Sequence, residues 1–122
     1  MAIPDISVIV PVYGVEKYIT GCAESLFNQT MTNSVEFIFV NDATKDNSIG
    51  VLRDVISQYP RLESRIRIIS HNENKGLPSA RNTGLAAARG EHIVHIDGDD
   101  FAEPTMLEDL YAAVKKANAD FA

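Results

Sequence analysis

The sequence predicts an α/β protein in which alternating β-α units form a mostly parallel open sheet with helices on both faces. Three observations carry this reading. Apolar runs rich in β-branched residues begin near Ile6, Val35, Ile66 and Ile93. Between and after them lie segments whose apolar residues recur at helical spacing. The runs are nearly continuous rather than alternating, as expected of strands buried on both sides.

Ile6 to Val10 is the first strand, and Pro11 is expected to end it, because proline cannot continue a central ladder. Val12-Tyr13-Gly14 is a loop. Val15, Tyr18, Ile19, Cys22 and Leu26 then mark a helix from about Glu16 to Gln29. Val35 to Val40 is the second strand, stopping at Asn41-Asp42, and Ala43 to Asn47 is polar turn material. Leu52, Val55, Ile56 and Tyr59 mark a helix that Pro60 closes. Ile66 to Ile69 is the third strand, followed by a polar loop from Ser70 to Gly76. Pro78 sits in the first turn of the next helix, where its missing N–H is harmless. That helix runs to about Arg89, with Gly90 as a left-handed cap. Ile93, Val94 and Ile96 form a fourth strand leading into Asp97-Gly98-Asp99-Asp100. Pro104 opens a last helix, with Leu107, Leu110, Tyr111 and Val114 on one face. Asp120-Phe121-Ala122 is the possible start of another strand.

Right-handed crossovers place every strand's carboxyl end on one edge. Tyr13, Asp42, the Ser70 loop and Asp97 to Asp100 all follow strand ends, so they are expected to gather there. The 122 residues suffice for one core, and no repeat, linker or low-complexity stretch divides them. A net charge of −6 argues against a nucleic-acid or membrane-surface binder relying on bulk charge. Cys22 is the only cysteine, which leaves no internal disulfide and suggests a small core residue. No signal peptide or membrane span is evident, so the default location is cytoplasmic. His95 reads as a packed strand residue, and neither His92 nor His71 is assigned a catalytic or metal role.

On extended backbone, Asp97 and Asp99 project from one face. Two carboxylates so placed favour a hard divalent cation, Mg²⁺ or Mn²⁺. Gly98 lets a ligand approach the chain closely. The same four residues are also ordinary turn chemistry. The loop after the first strand lacks a dinucleotide fingerprint, and no P-loop or nucleophile elbow is present. An aromatic ring at Tyr13, an isolated acid at Asp42, a basic side chain and a carboxylate cluster remain, a set that suits a nucleotide diphosphate. Tyr13 can stack on a base, Asp42 can accept from a base N–H, and Asp99 can hold the diphosphate through a metal.

Five segments resemble the family 2 inverting glycosyltransferases. They are Ile6 to Tyr13, Ser25 to Thr30, Val40 to Ser48, Asn74 to Gly84 and Asp97 to Asp100, the last similar to a metal-binding Asp-x-Asp. The resemblance implies a GT-A fold, of which this chain would be the Rossmann-like, nucleotide-diphospho-sugar-binding half over residues 1–122. It implies metal-dependent sugar transfer from a nucleotide-diphosphate sugar, commonly a UDP-sugar, to a hydroxyl of a carbohydrate, lipid-linked or protein acceptor. By position, Pro11 and Tyr13 match the loop that packs on the base, and Asp42 the acid that reads it. Asn74 and Arg81 match residues near the donor, Asp97 the ribose and metal shell, and Asp99 the direct metal ligand. The family usually has Asn at Gly14, Asp at Asn41 and Gly-Ser at Ala43-Thr44; Ala43 tolerates positive φ poorly. The catalytic base is unassigned and is expected beyond Ala122, since Glu103, Glu108 and Asp109 lie too close to the acidic motif. The resemblance also implies a full-length protein in the cytoplasm or at the inner face of the membrane. A non-catalytic nucleotide-sugar-binding module is the alternative. A sugar nucleotidyltransferase is disfavoured, because no Gly-rich basic loop follows the first strand.

Overall fold

The computed structural model describes residues 3–120, the side chains of 118–120 excepted, so Phe121 and Ala122, in the stretch considered for a further strand, lie outside it. The elements are β1 (Ile6–Val12), α1 (Ile19–Phe27), β2 (Val35–Asn41), α2 (Ser48–Ile56), a 3₁₀ helix (Pro60–Arg65), β3 (Ile66–Ser70), α3 (Leu77–Ala87), β4 (His92–His95) and α4 (Met106–Asp120). The four strands form one sheet in the order β3-β2-β1-β4, and every pair is parallel. The sheet, its direction and the alternation of elements are those the sequence predicts. No helix among the described residues is long and apolar enough to cross a membrane.

Burial follows the pleat. Ile6, Val8, Val10 and Val12 of β1 and Val35, Phe37 and Phe39 of β2 share one core with Ile19, Cys22, Leu26 and Phe27 of α1, Leu52 and Val55 of α2, and Leu107 of α4. Phe27 stands edge-on to Phe37, with centroids 5.2 Å apart and rings at 82°, the geometry that aromatic quadrupoles favour. Among the described residues the opposite face is covered by α3, through Ala80 against Ile38 and Val40. Close approach there depends on Gly84, because a Cβ at this position would overlap Ile9 Cγ2.

Local details depart from the sequence reading for identifiable reasons. β1 continues through Pro11 to Val12. Ile9 O accepts from Ile96 N on the β4 side, and Val12 O accepts from Asp42 N on the β2 side. Pro11 shares the orientation of Ile9, so its missing N–H faces the side where the β4 ladder has already ended. α1 begins at Ile19 rather than near Glu16, after a turn over 16–18. Pro60 opens a 3₁₀ helix instead of leading directly to β3. α3 ends at Ala87, and Gly90 is not among the glycines with positive φ. Gly90 is needed for proximity: a Cβ there would lie 2.6 Å from Ser7 Oγ and 2.7 Å from Ser7 N. His95 is exposed rather than packed. It pairs in register with Ile9 on the α3 face, at the sheet edge beyond the reach of that single helix.

The amino-terminal rim of the sheet is closed by a buried carboxylate. Glu36 is 1% exposed and accepts from Ser7 Oγ at 2.5 Å, Arg67 Nη2 at 3.0 Å and Arg89 N at 2.6 Å. Ser7 Oγ in turn accepts from Gly90 N at 2.8 Å. Burial alone would push the Glu36 carboxyl up, but the hydrogen bonds from Ser7, Arg89 and Arg67 outweigh it and hold it below the usual range. One carboxylate thus ties β1, β2 and β3 to the α3–β4 turn. Arg67 Nε is buried without a partner among the described residues, which limits the net gain. Glu36→Gln is expected to cost about 2 kcal/mol, the scale of a lost charge-assisted buried bond. Urea unfolding should show a lower midpoint at unchanged slope; an unaltered midpoint would deny the network its structural role.

Candidate functional site

The winding of the sheet locates the site. From β1 the chain proceeds outward to β2 and β3, then returns to place β4 on the other side of β1. Such a reversal opens a crevice at the carboxyl ends of the two strands flanking it, here β1 and β4. A cleft of about 360 Å³ lies there. Its walls include Pro11, Tyr13, Asp42, Asn74, Gly76, Asp97 and Asp99. Segments far apart in sequence therefore meet on one rim, as the topology required. Of the sequence-predicted site residues only Arg81 is absent from the wall; it reaches the rim by pairing with Asp97, Nη2 to Oδ1 at 3.1 Å.

At one end, Tyr13 is 47% exposed on the cleft margin. Asp42, by contrast, is 3% exposed. Its Oδ1 accepts from His71 Nδ1 at 2.8 Å and Lys75 N at 2.9 Å, and its Oδ2 from Gly76 N at 2.9 Å. Burial opposes the charge of Asp42, but these hydrogen bonds, that from His71 foremost, prevail and lower its pKa. Asp42 also holds the two residues that lead into α3, where a negative charge suits the helix dipole. Asn74 Nδ2 lies 3.4 Å from the Asp42 carbonyl, which sets the Asn74 side chain on the same wall. His71 was missed by sequence reasoning: a histidine in a polar loop gives no sign of its partner until β2 and β3 are placed side by side.

At the other end, Asp97, Asp99 and Asp100 each bring a carboxylate oxygen within 4.8 Å of the others. The backbone is not extended as the spacing argument supposed. It turns, with Asp100 N donating to Asp97 O at 2.9 Å, and the turn also draws in Asp100. Gly98 lines the cleft, and its small size has a further cause. A Cβ there would meet Pro11 O at 2.9 Å and Val15 Cγ2 at 3.1 Å, so the residue is small to fit the chain's own loop. Cys22 supports the turn from below, its Sγ 3.6 Å from Asp97 O. Burial, then the charges of Asp100, Asp99 and Asp97, push this thiol up to about 12, which leaves it protonated and unreactive. Three hard oxygen donors with one guanidinium beside them fit a small divalent cation.

The loops after β1 and β2 are stitched together. Gly14 N donates to Thr44 Oγ1 at 2.9 Å, Val15 N to Ser48 Oγ at 3.1 Å, and Asn47 N to Glu16 Oε1 at 2.6 Å. Asp46 accepts from Ser48, Thr44 and Glu16 N. Ala43 occupies the left-handed region at φ 57°, the strain anticipated for alanine where the resembling family has glycine.

With the cleft and its residues placed, comparison with known proteins becomes informative. Residues 7–122 match the glycosyl transferase family 2. The chain belongs to this family. It is 46% identical over 110 residues to the putative glycosyltransferase EpsH of Bacillus subtilis, covering 90% of this chain and 30% of that protein. It is 43% identical over 118 residues to the uncharacterized glycosyltransferase EpsJ of the same organism, covering 97% and 33%. The chain thus spans about a third of the length of these relatives. Among solved structures it resembles S. aureus TarS 1-349 in complex with UDP-GlcNAc, with a TM-score of 0.79 and 31% identity over 92% of this chain and 31% of that one. It also resembles the mannosyltransferase PcManGT of Pyrobaculum calidifontis in complex with GDP-Man and Mn²⁺, with a TM-score of 0.80 and 28% identity over 92% and 32%. The sheet and helices of this family 2 chain are those of a GT-A glycosyltransferase.

The stitched loops have a pH signature. Hydrogen bonds from Ser48 first, then Thr44, lower Asp46 from 3.8 to about 2. A carboxylate whose pKa falls on folding stabilises the native state above its unfolded value and loses that contribution as pH drops. The melting temperature should therefore fall between pH 3.8 and about 2, and Asp46→Asn should flatten that part of the profile. An identical acid profile in the variant would show that Asp46 is not held this way.

Proposed function

We propose that this chain is the donor-binding half of a metal-dependent glycosyltransferase, which moves a sugar from a nucleotide-diphosphate sugar, a UDP-sugar, to an acceptor hydroxyl with inversion. The observation that carries the reading is a single cleft with a base-sized end at Tyr13 and Asp42 and a carboxylate end at Asp97, Asp99 and Asp100. A nucleoside diphosphate has the same polarity: a flat ring with N–H donors at one end, anionic oxygens at the other.

In this reading Tyr13 lies against the base and Asp42 accepts from a base N–H. Asn74 and the Gly76–Leu77 backbone form the wall beside it. Asp99, with Asp97 and Asp100, holds Mn²⁺ or Mg²⁺, which supplies positive charge to the leaving diphosphate. Arg81 orients Asp97 through their ion pair and limits the repulsion between the clustered carboxylates. Pro11 and Gly98 lie side by side in the cleft wall, where a Cβ on Gly98 would come within 2.9 Å of Pro11 O. Transfer also needs a base to accept the proton of the acceptor hydroxyl. Glu103, Glu108 and Asp109 do not line the cleft. Glu108 and Asp109 are engaged by Thr30 and Thr105 instead. We assign the base and the acceptor site, whether for a glycan, a lipid-linked carrier or a protein, to sequence outside this chain, in a full-length enzyme acting in the cytoplasm or at the inner membrane face.

UDP with Mn²⁺ should raise the melting temperature by several degrees at about 100-fold excess over Kd, where linkage gives about 2.7 kcal/mol. A chelator, or Asp99→Asn, should remove most of that rise. Equal stabilisation with and without metal would reject the carboxylate end as a cation site.

A further inference from the structure

His71 follows β3 directly, and its side chain is 7% exposed. Its backbone N–H donates to Asn41 O at 2.8 Å, fixing it beside the end of β2. The ring bridges two elements: Nδ1 is 2.8 Å from Asp42 Oδ1, and Nε2 is 2.7 Å from Thr83 Oγ1 on α3. A carboxylate oxygen only accepts, so Nδ1 carries the proton between them, and Thr83 fixes the other side of the ring. The imidazole cannot swing away from Asp42 without breaking this brace.

The consequence lies in counting acceptors. A carboxylate offers about four lone-pair positions, two per oxygen. His71 and Lys75 N fill both on Oδ1, and Gly76 N fills one on Oδ2. One position remains, on Oδ2. Uracil presents a single imide N–H flanked by two carbonyls, which one acceptor satisfies. Guanine presents two adjacent donors, N1–H and the 2-amino group, which pair in parallel with a carboxylate that offers both oxygens at once. Fold alone does not decide between them, since similar structures carry UDP-GlcNAc in one case and GDP-Man in another.

We propose that His71, braced by Thr83, determines base specificity: by occupying Oδ1 of Asp42 it leaves a one-acceptor edge that takes uridine and rejects guanosine. This rests on the donor-site reading above. His71 does not touch the base; it selects by withholding half of the carboxylate that does.

The test is calorimetric titration of the chain with UDP and with GDP, each with Mn²⁺. The unaltered protein should bind UDP about tenfold more tightly, the worth of one unmade hydrogen bond. His71→Ala frees an acceptor on Oδ1, so the UDP-to-GDP preference should collapse by about the same factor. Thr83→Val keeps the imidazole and removes its brace, and should shift the preference in the same direction by a smaller factor. A merely structural role for His71 would weaken both nucleotides equally, and an unchanged ratio in both variants overturns the proposal. So does a preference of the unaltered protein for GDP. Failure of the unaltered protein to bind either nucleotide would instead overturn the donor-site reading, and this inference with it.

Discussion

β1 is flanked by strands reached through opposite directions of winding, and that reversal is the constraint on which the site depends. Helices crossing from β1 to β2 and from β2 to β3 lie on one face, whereas α3 must cross the other to deliver β4 to the far side of β1. Among the described residues, no crossover helix joins β1 directly to β4. At the carboxyl ends of these strands the backbone passes into loops rather than further ladder, and the side chains of Tyr13, Asp97 and Asp99 on those loops line the cleft. Gly84 and Gly90 make the arrangement possible by letting α3 and its following turn sit against β1 at distances no larger residue would permit.

The two ends of the parallel strands handle buried charge differently. At the amino-terminal rim, Glu36 is enclosed by donors from three segments and acts as a fastener. At the carboxyl rim, Asp97, Asp99 and Asp100 are crowded together with a single guanidinium nearby and remain open to solvent. Asp42 stands between these extremes: buried like Glu36 and, like it, accepting three hydrogen bonds, yet set in the wall of the cleft. The sorting of these acids by their environment places a closed hydrogen-bond network at one end of the sheet and an open acidic cleft at the other.

Much of this was legible in the sequence, because apolar run length and helical spacing report burial directly, and a parallel sheet with right-handed crossovers leaves few ways to place strand ends. Tyr13, Asp42 and Asp99 could be brought to one rim by topology alone. What could not be read was contact made across the fold. Pro11 continues β1 because β4 happens to stop short. Gly90 is small because of Ser7 rather than its own torsion angles, and Gly98 is confined by Pro11 and Val15 where it lines the cleft. His71 gains its place only when β3 is registered against β2, and Asp100 joins the acidic group only because the segment turns. Short polar side chains announce turns in sequence, but their partners are a property of packing.

The most direct test of a shared nucleotide cleft is a ¹⁵N–¹H correlation spectrum recorded during titration with UDP and Mg²⁺. Backbone amides at residues 12–14, 42–44, 74–80 and 97–100 should shift together along one saturation curve, while those of Ser7, Glu36 and Arg89 at the opposite rim stay still. Shifts limited to one of these loops, or spread over the amino-terminal rim, would contradict a site assembled where β1 and β4 diverge.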